Sequence, residues 1–315
     1  MVAPSPSVKK GIFLSLICLI FLGVMPILSN LRPTQTDALS FAFALSVWQM
    51  IFALPIFGLE QKFAKPGLMG STFAPQGMTR MIIVGLLTGG MFGLSTYLYV
   101  LGIEKAGATT AAIAIQAYPL FAILWESLFL KRKKTPVELV LTAILIGTLY
   151  YLGTEGSLQI TNLSPWFLVA LGVPFLWSIA HVIIKEELSR TPITPIQVTF
   201  FRVSISAMFL FLVLAMTAPT EIGTALSAVF QVMSAVMGLV YFLELIVWFY
   251  AVRHIDVSLA SSITTPWPAL TMIFAVLFLK ETIETYQIAA LLVIVSCIYG
   301  LTLASLRSPR LAEEK

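Results

Sequence analysis

The chain is 315 residues long, 58% apolar and 11% charged, with a formal net charge of +4. Soluble domains average roughly 25% charged residues, and here apolar runs of the ~20 residues needed to cross ~30 Å of hydrocarbon recur from end to end. This excludes a disordered chain, a secreted disulfide scaffold and a nucleic-acid-binding domain, and points to an integral membrane protein whose basic loops face anionic lipid.

In chain order, apolar runs bounded by charge, Pro and Gly predict ten helices, at about 11–30, 37–58, 80–103, 107–130, 136–153, 165–185, 194–217, 224–252, 256–279 and 284–305. The first follows Lys9 and Lys10, as a signal peptide would. It is too long for a signal-peptide core and lacks a small-residue cleavage site, so it reads as a span. Between the second and third helices, Glu60 to Thr79 reads as a solvated loop, and the other connections are short. Cys18 and Cys297 fall within apolar runs, with neither a disulfide framework nor a metal-ligand spacing.

Lys and Arg set the orientation. With an even helix count both termini share a side. Placing them in the cytoplasm puts fifteen basic residues inside and only Arg32, Lys105 and Lys280 outside, with Arg202 left within a helix. The expected setting is a bacterial inner membrane.

The sequence also repeats. In helix four, Pro119 is followed after eight residues by Leu128-Phe129-Leu130-Lys131; in helix nine, Pro268 is followed after eight by Leu277-Phe278-Leu279-Lys280. The offset is 149 residues, and it also pairs Thr109 with Ser258, Tyr118 with Trp267 and Tyr99 with Trp248. Five helices per copy, an odd number, make the second copy enter the membrane from the opposite side, an inverted repeat. The expected fold is therefore all-α, with ten transmembrane helices in two inverted five-helix repeats, 1–154 and 155–315, and both termini cytoplasmic. The flanking charge agrees: Arg132, Lys133 and Lys134 follow the cytoplasmic copy, whereas Glu281 and Glu284 follow the external one.

Tyr97-Leu98-Tyr99 through Gly102-Ile103 to Ala106-Gly107-Ala108, then Ala117-Tyr118-Pro119, carry a resemblance to a known family. So do Trp248 to Val252, Ser258 to Ser262, Pro266 to Pro268, Leu277 to Thr282, and Arg202 within Thr199-Phe200-Phe201-Arg202. Together they resemble the ten-helix EamA branch of the drug/metabolite transporter superfamily. One departure is that the family usually closes helix four with an acid, where Arg132 stands here. The resemblance implies secondary transport of small metabolites, often export of amino acids or related compounds, through a central cavity.

Ionisable groups within a bilayer are costly and mark function by default. Four stand out: Glu126, His181, Arg202 and Glu244. Glu126 and His181 lie close to the lysines that end their helices and read as interfacial. Arg202 and Glu244 each lie about eight residues from a cytoplasmic boundary, ~12 Å deep at 1.5 Å per residue, a matching depth that allows an ion pair. Glu244 is the candidate for binding a substrate amine or a proton, and Arg202 for a counter-charge or carboxylate clamp; a structural pair, or an Arg reaching the headgroups, is the alternative. Tyr99, Gln116, Tyr118, Trp177, Trp248, Thr264, Thr265 and Trp267 are candidate walls of an amphipathic cavity, although Trp and Tyr also form interfacial belts.

Pro119, Pro266 and Pro268 lie mid-helix, where proline removes a hydrogen bond. Breaks at matching positions of two halves point to a transport site, with freed carbonyls near Ile115 and Ile263 as ligands or hinge points. Gly85, Gly89 and Gly93 read as a packing face.

With two histidines, no His-x-x-x-His pair, no intramembrane aspartate dyad and no Walker A motif, the chain has no parts for metal-assisted hydrolysis or ATP hydrolysis. No cofactor is implied. The reading is a secondary transporter, with a passive channel or facilitator as the alternative. Its partners are a small-molecule substrate, the lipid bilayer and candidate coupling protons, with no nucleic acid; the unit is a monomer or homodimer.

Overall fold

The computed structural model describes residues 7–63, 75–129, 135–191, 193–255 and 257–307, and all regular structure among them is helical. In chain order the helices are α1 (Val8–Asn30), α2 (Ala38–Phe63), α3 (Pro75–Ala106), α4 (Ala108–Ile115), α5 (Tyr118–Phe129), α6 (Pro136–Gly153), α7 (Pro165–Arg190), α8 (Pro195–Thr217), α9 (Ile222–Val229), α10 (Val232–His254), α11 (Val257–Thr264), α12 (Trp267–Phe274) and α13 (Thr285–Arg307). A π-helical turn, Ala275–Leu279, extends α12.

Local sequence explains where several helices start. Three open on Ser or Thr followed by Pro: the hydroxyls of Thr135, Ser164 and Thr194 accept from the backbone N–H three residues on, and Pro136, Pro165 and Pro195 occupy the first helical position. Proline suits that position because its missing N–H has no intrahelical partner there. Glu138 and Gln197 return a bond to the capping residue, completing reciprocal capping boxes.

Nine helical stretches among the described residues are long and apolar enough to cross a membrane, one of them running through α11, α12 and the π turn. The expected fourth span differs from the prediction of one kinked helix. The helix stops at Ile115 and restarts at Tyr118, leaving α4 with eight residues and α5 with twelve. The ninth expected span breaks likewise between Thr264 and Trp267. Pro119 and Pro268 each sit second in the restarted helix, so they begin new segments rather than bend old ones. The two breaks lie 149 residues apart, the offset of the sequence repeat. The expected eighth helix, 224–252, is divided at Phe230–Gln231 into α9 and α10. α3 begins at Pro75, inside the segment expected to be loop.

The main packing pairs are α1 with α10, α3 with α7 and α8, and α2 with α8. Close approach of α3 and α8 depends on the glycine face. A methyl group added to Gly89 would lie 2.4 Å from Ile205 Cγ2, and one added to Gly93 would lie 2.8 Å from Phe209 Cδ1. Ser206 uses that proximity to donate to the Gly89 carbonyl at 2.8 Å. The outer faces are apolar: Ile82, Ile83, Leu86 and Leu87 of α3 and Leu139, Val140 and Ile146 of α6 are exposed, as lipid-facing surfaces require.

Polar contacts gather at the ends of the bundle. Arg32 donates to the Ser29 carbonyl at 2.9 Å and the Thr36 carbonyl at 3.1 Å and pairs with Glu104, fixing the turn between α1 and α2. At the opposite end Arg80 bonds Glu187, joining α3 to α7, and Thr194 donates to Glu60 at 2.9 Å, joining α8 to α2.

Candidate functional site

Arg202 is 5% exposed and Glu244 7% exposed, and both face the interior of the bundle. The ion pair that their matching depth allows is not formed. Arg202 and Glu244 interact electrostatically, but the salt bridges among the described residues do not include them. Each has another partner instead. Arg202 Nη2 donates to the Tyr241 hydroxyl at 3.5 Å, and the guanidinium lies 3.4 Å from the centre of the Phe92 ring. The Cys18 thiol donates to Glu244 Oε1 at 3.4 Å. Tyr241 and Glu244 are three residues apart on α10, one turn of the same face. The site is thus assembled by α1, α3, α8 and α10.

One atom in this arrangement lacks a partner. Arg202 Nη1 is buried and makes no hydrogen bond. A guanidinium carries five donors, and leaving one desolvated and unpaired is costly, more so for a charged group than for a neutral one.

Aromatic rings extend the site toward α7. Tyr99 stands 6.5 Å from both Trp177 and Tyr241, ring centre to ring centre. The Trp177 indole donates to the Ser95 hydroxyl at 3.0 Å, so Ser95 and Tyr99, four apart on α3, hold one indole between them. His181 lies among Phe92, Tyr118 and Trp177, at 5.4, 5.9 and 6.3 Å. One turn beyond Trp177 on α7, it faces the interior of the bundle.

The remaining predicted residues divide into two groups. Gln116 and Thr265 mark the two helix breaks and are buried; the Thr265 hydroxyl is already used, donating to the Ser261 carbonyl at 2.8 Å, while Thr264 donates to Ala260. Trp267 opens α12 and is buried, and Trp248 is half-buried against the core. Among the described residues, no hydrogen bond or ring contact ties either indole to the Arg202 cluster. The Glu126 side chain, Arg132 and Lys131 lie outside the described residues.

This geometry of buried opposite charges, aromatic walls and two interrupted helices suits a carrier. The family model of EamA-like transporters matches residues 9–154 and again 164–303. The chain belongs to the EamA-like transporter family. Its family is one of transporters, and among its described residues nine helical stretches are long and apolar enough to cross a membrane.

Among curated relatives, this EamA-like transporter is similar to the pseudopaline exporter CntI of Pseudomonas aeruginosa, found in two strains, with 30% identity over 128 residues. That match spans 41% of this chain and 43% of the exporter, less than half of each. A crystal structure sharing 16% sequence identity superimposes with a TM-score of 0.58, covering 94% of this chain and 99% of the other; at that identity the likeness concerns the fold.

Three site residues of the EamA-like transporter escape sequence reasoning. Tyr241 and Phe92 sit in uninterrupted apolar runs, where nothing distinguishes them from core. Cys18 is equally silent, because its partner Glu244 is 226 residues away. Only depth matching was available as a signal: residues at the level of Arg202 on neighbouring helices are candidates to meet it.

Proposed function

We propose that this transporter exports small organic metabolites, amino acids or related compounds, by alternating access around the Arg202–Glu244 site. The single observation that carries the reading is the buried, unpartnered Arg202 Nη1. A substrate carboxylate placed there gains a charge-assisted bond and relieves an existing desolvation cost at once. Glu244, whose one hydrogen bond among the described residues comes from the Cys18 thiol, suits a substrate amine or a coupling proton. Tyr99, Tyr118 and Trp177 supply apolar walls of the kind small ligand sites use, and Gln116, Thr265, Trp248 and Trp267 complete the lining from the helix breaks and α10. Pro119, Pro266 and Pro268 define the hinges.

Several further assignments belong to this reading. α4 and α5 together act as one span, making ten. The two family-model matches fall on the halves 1–154 and 155–315, consistent with inverted repeats. The distribution of Lys and Arg favours cytoplasmic termini, and the membrane of this reading is the bacterial inner membrane. The similar exporter from Pseudomonas aeruginosa favours the export direction.

The test is counterflow in proteoliposomes with a labelled panel of amino acids and related metabolites, with and without an imposed pH gradient. Saturable exchange of a panel member is expected. Flux that never saturates and shows no counterflow would establish a channel instead, and no exchange by folded protein across the panel would overturn the substrate class.

A further inference from the structure

The end of the bundle where α3 meets α4 carries a contact that transport through the Arg202 site leaves unexplained. Glu281, just past the π turn, places its carboxylate on the first turn of α4. Ala108 N donates to Oε1 at 2.9 Å, Thr109 N to Oε2 at 3.3 Å and the Thr109 hydroxyl to Oε2 at 3.0 Å. The residue before α4, Gly107, has φ +84° and offers no side-chain cap. Glu281 thus supplies from 172 residues away what a local Ser or Asp supplies in most helices. Beside it, Gln287 Nε2 of α13 donates to the Thr110 hydroxyl at 2.9 Å.

The neighbours of the half-helices show what this contact closes. α4 packs against α12, so the broken spans meet through these two halves. Their other halves separate: α5 packs on α7 and α6, whereas α11 packs on α1 and α13. Among the described residues the two broken spans therefore meet near the Glu281 end, while their other halves pack on different neighbours. A cavity of about 560 Å³ adjoins the contact, lined by Glu281, Thr110 and Gln287 together with Lys105, Lys280 and Glu284. Water in that cavity can replace the bonds as they break, so the contact opens at low cost. That distinguishes a latch from a permanent staple.

We propose that Glu281 is the latch of the outer gate: its bond to the α4 N-terminus holds the exit closed while the site faces the cytoplasm, and its release opens the exit. The sidedness rests on the orientation argued above. α4 suits the part, being a rigid eight-residue piece suspended between Gly107 and the break at Gln116–Ala117.

The experiment labels Gln116→Cys with a membrane-impermeant maleimide added on the side away from the termini. Adding Glu281→Ala is expected to speed labelling about tenfold, the scale of losing a charged helix cap, and Glu281→Gln, which keeps one acceptor, to fall between. Oxidising Thr110→Cys/Gln287→Cys to a disulfide is expected to suppress this labelling and to stop counterflow, with reductant restoring both. Unchanged labelling in Glu281→Ala, or full exchange by the cross-linked protein, overturns the latch; so does faster labelling only from the side of the termini. Because labelling needs no substrate, a gate that responds in a protein exchanging no panel member sustains the latch and rejects only the substrate assignment.

Discussion

Replacing Arg202 by methionine separates a ligand clamp from a structural residue, because the two roles predict opposite signs. Arg202 has one long bond of 3.5 Å to Tyr241 and a close approach to the Phe92 face. A desolvated cation–π contact contributes about 2 kcal/mol, and the bond to Tyr241 adds little at that length. Against these stands the cost of a buried guanidinium with Nη1 unpaired, which is several kcal/mol for a charge removed from water. Removing the cation would also leave Glu244 uncompensated, so the comparison is made on Glu244→Gln, where the balance makes Arg202→Met neutral or stabilising in the absence of substrate. Binding moves the other way: the variant loses a hydrogen bond to a charged group, about 1.5–3 kcal/mol, which weakens substrate affinity about ten- to a hundredfold. The assay pairs thermal unfolding of purified protein with affinity for the best-exchanged member of the counterflow panel. A lower melting temperature with unchanged affinity would refute the reasoning and make Arg202 a structural residue.

Three other outcomes are expected. Glu244→Gln keeps an acceptor for the Cys18 thiol and so preserves the fold, while flux driven by an imposed pH gradient is lost; an undiminished pH-gradient response in proteoliposomes would remove Glu244 from coupling. Ser95→Ala frees the Trp177 indole and costs about 1 kcal/mol, read as a small drop in melting temperature and a raised KM for exchange. Gly238→Ala sets a methyl group 2.5 Å from Trp48 Cβ and 2.9 Å from the Leu45 carbonyl, forcing α2 from α10 at about 1–3 kcal/mol; Gly147→Ala, with nothing within 4 Å, leaves the melt unchanged.

Spans were legible because hydrophobic length alone defines them, and the starts of α6, α7 and α8 because Ser or Thr before Pro is a local signal. The helix breaks were legible at Pro119 and Pro266–Pro268, although a kink was expected where the chain stops and restarts. A proline pair cannot show by itself whether the preceding turn survives. The Phe230–Gln231 interruption lies in apolar sequence without Pro or Gly, and nothing local announces it. At the site, depth arithmetic brought Arg202 and Glu244 to one level but not to their partners. Which faces meet depends on how α1 and α3 rotate against α8 and α10, and packing sets that rotation. For the related reason that distance from a helix end reports depth and not direction, the ring neighbours of His181 were not legible either. Glu281 was legible as a charge suited to its side of the membrane, while its role required knowing that α4 lies beside it.

The remote capping of α4 also orders the biogenesis of the protein. An eight-residue helix is too short to be stable alone, and Gly107 leaves its first N–H groups without a local acceptor. While the chain emerges from the ribosome, α4 is made long before Glu281. Until α12 and the π turn after it insert, those amides have only water or lipid headgroups to bond. α4 therefore reaches its final form only when Glu281 arrives beside it, so the early and late parts of the chain mature together rather than in succession. A nascent chain stopped short of residue 281 is expected to expose the start of α4 to proteases and quality control, whatever the state of its other helices.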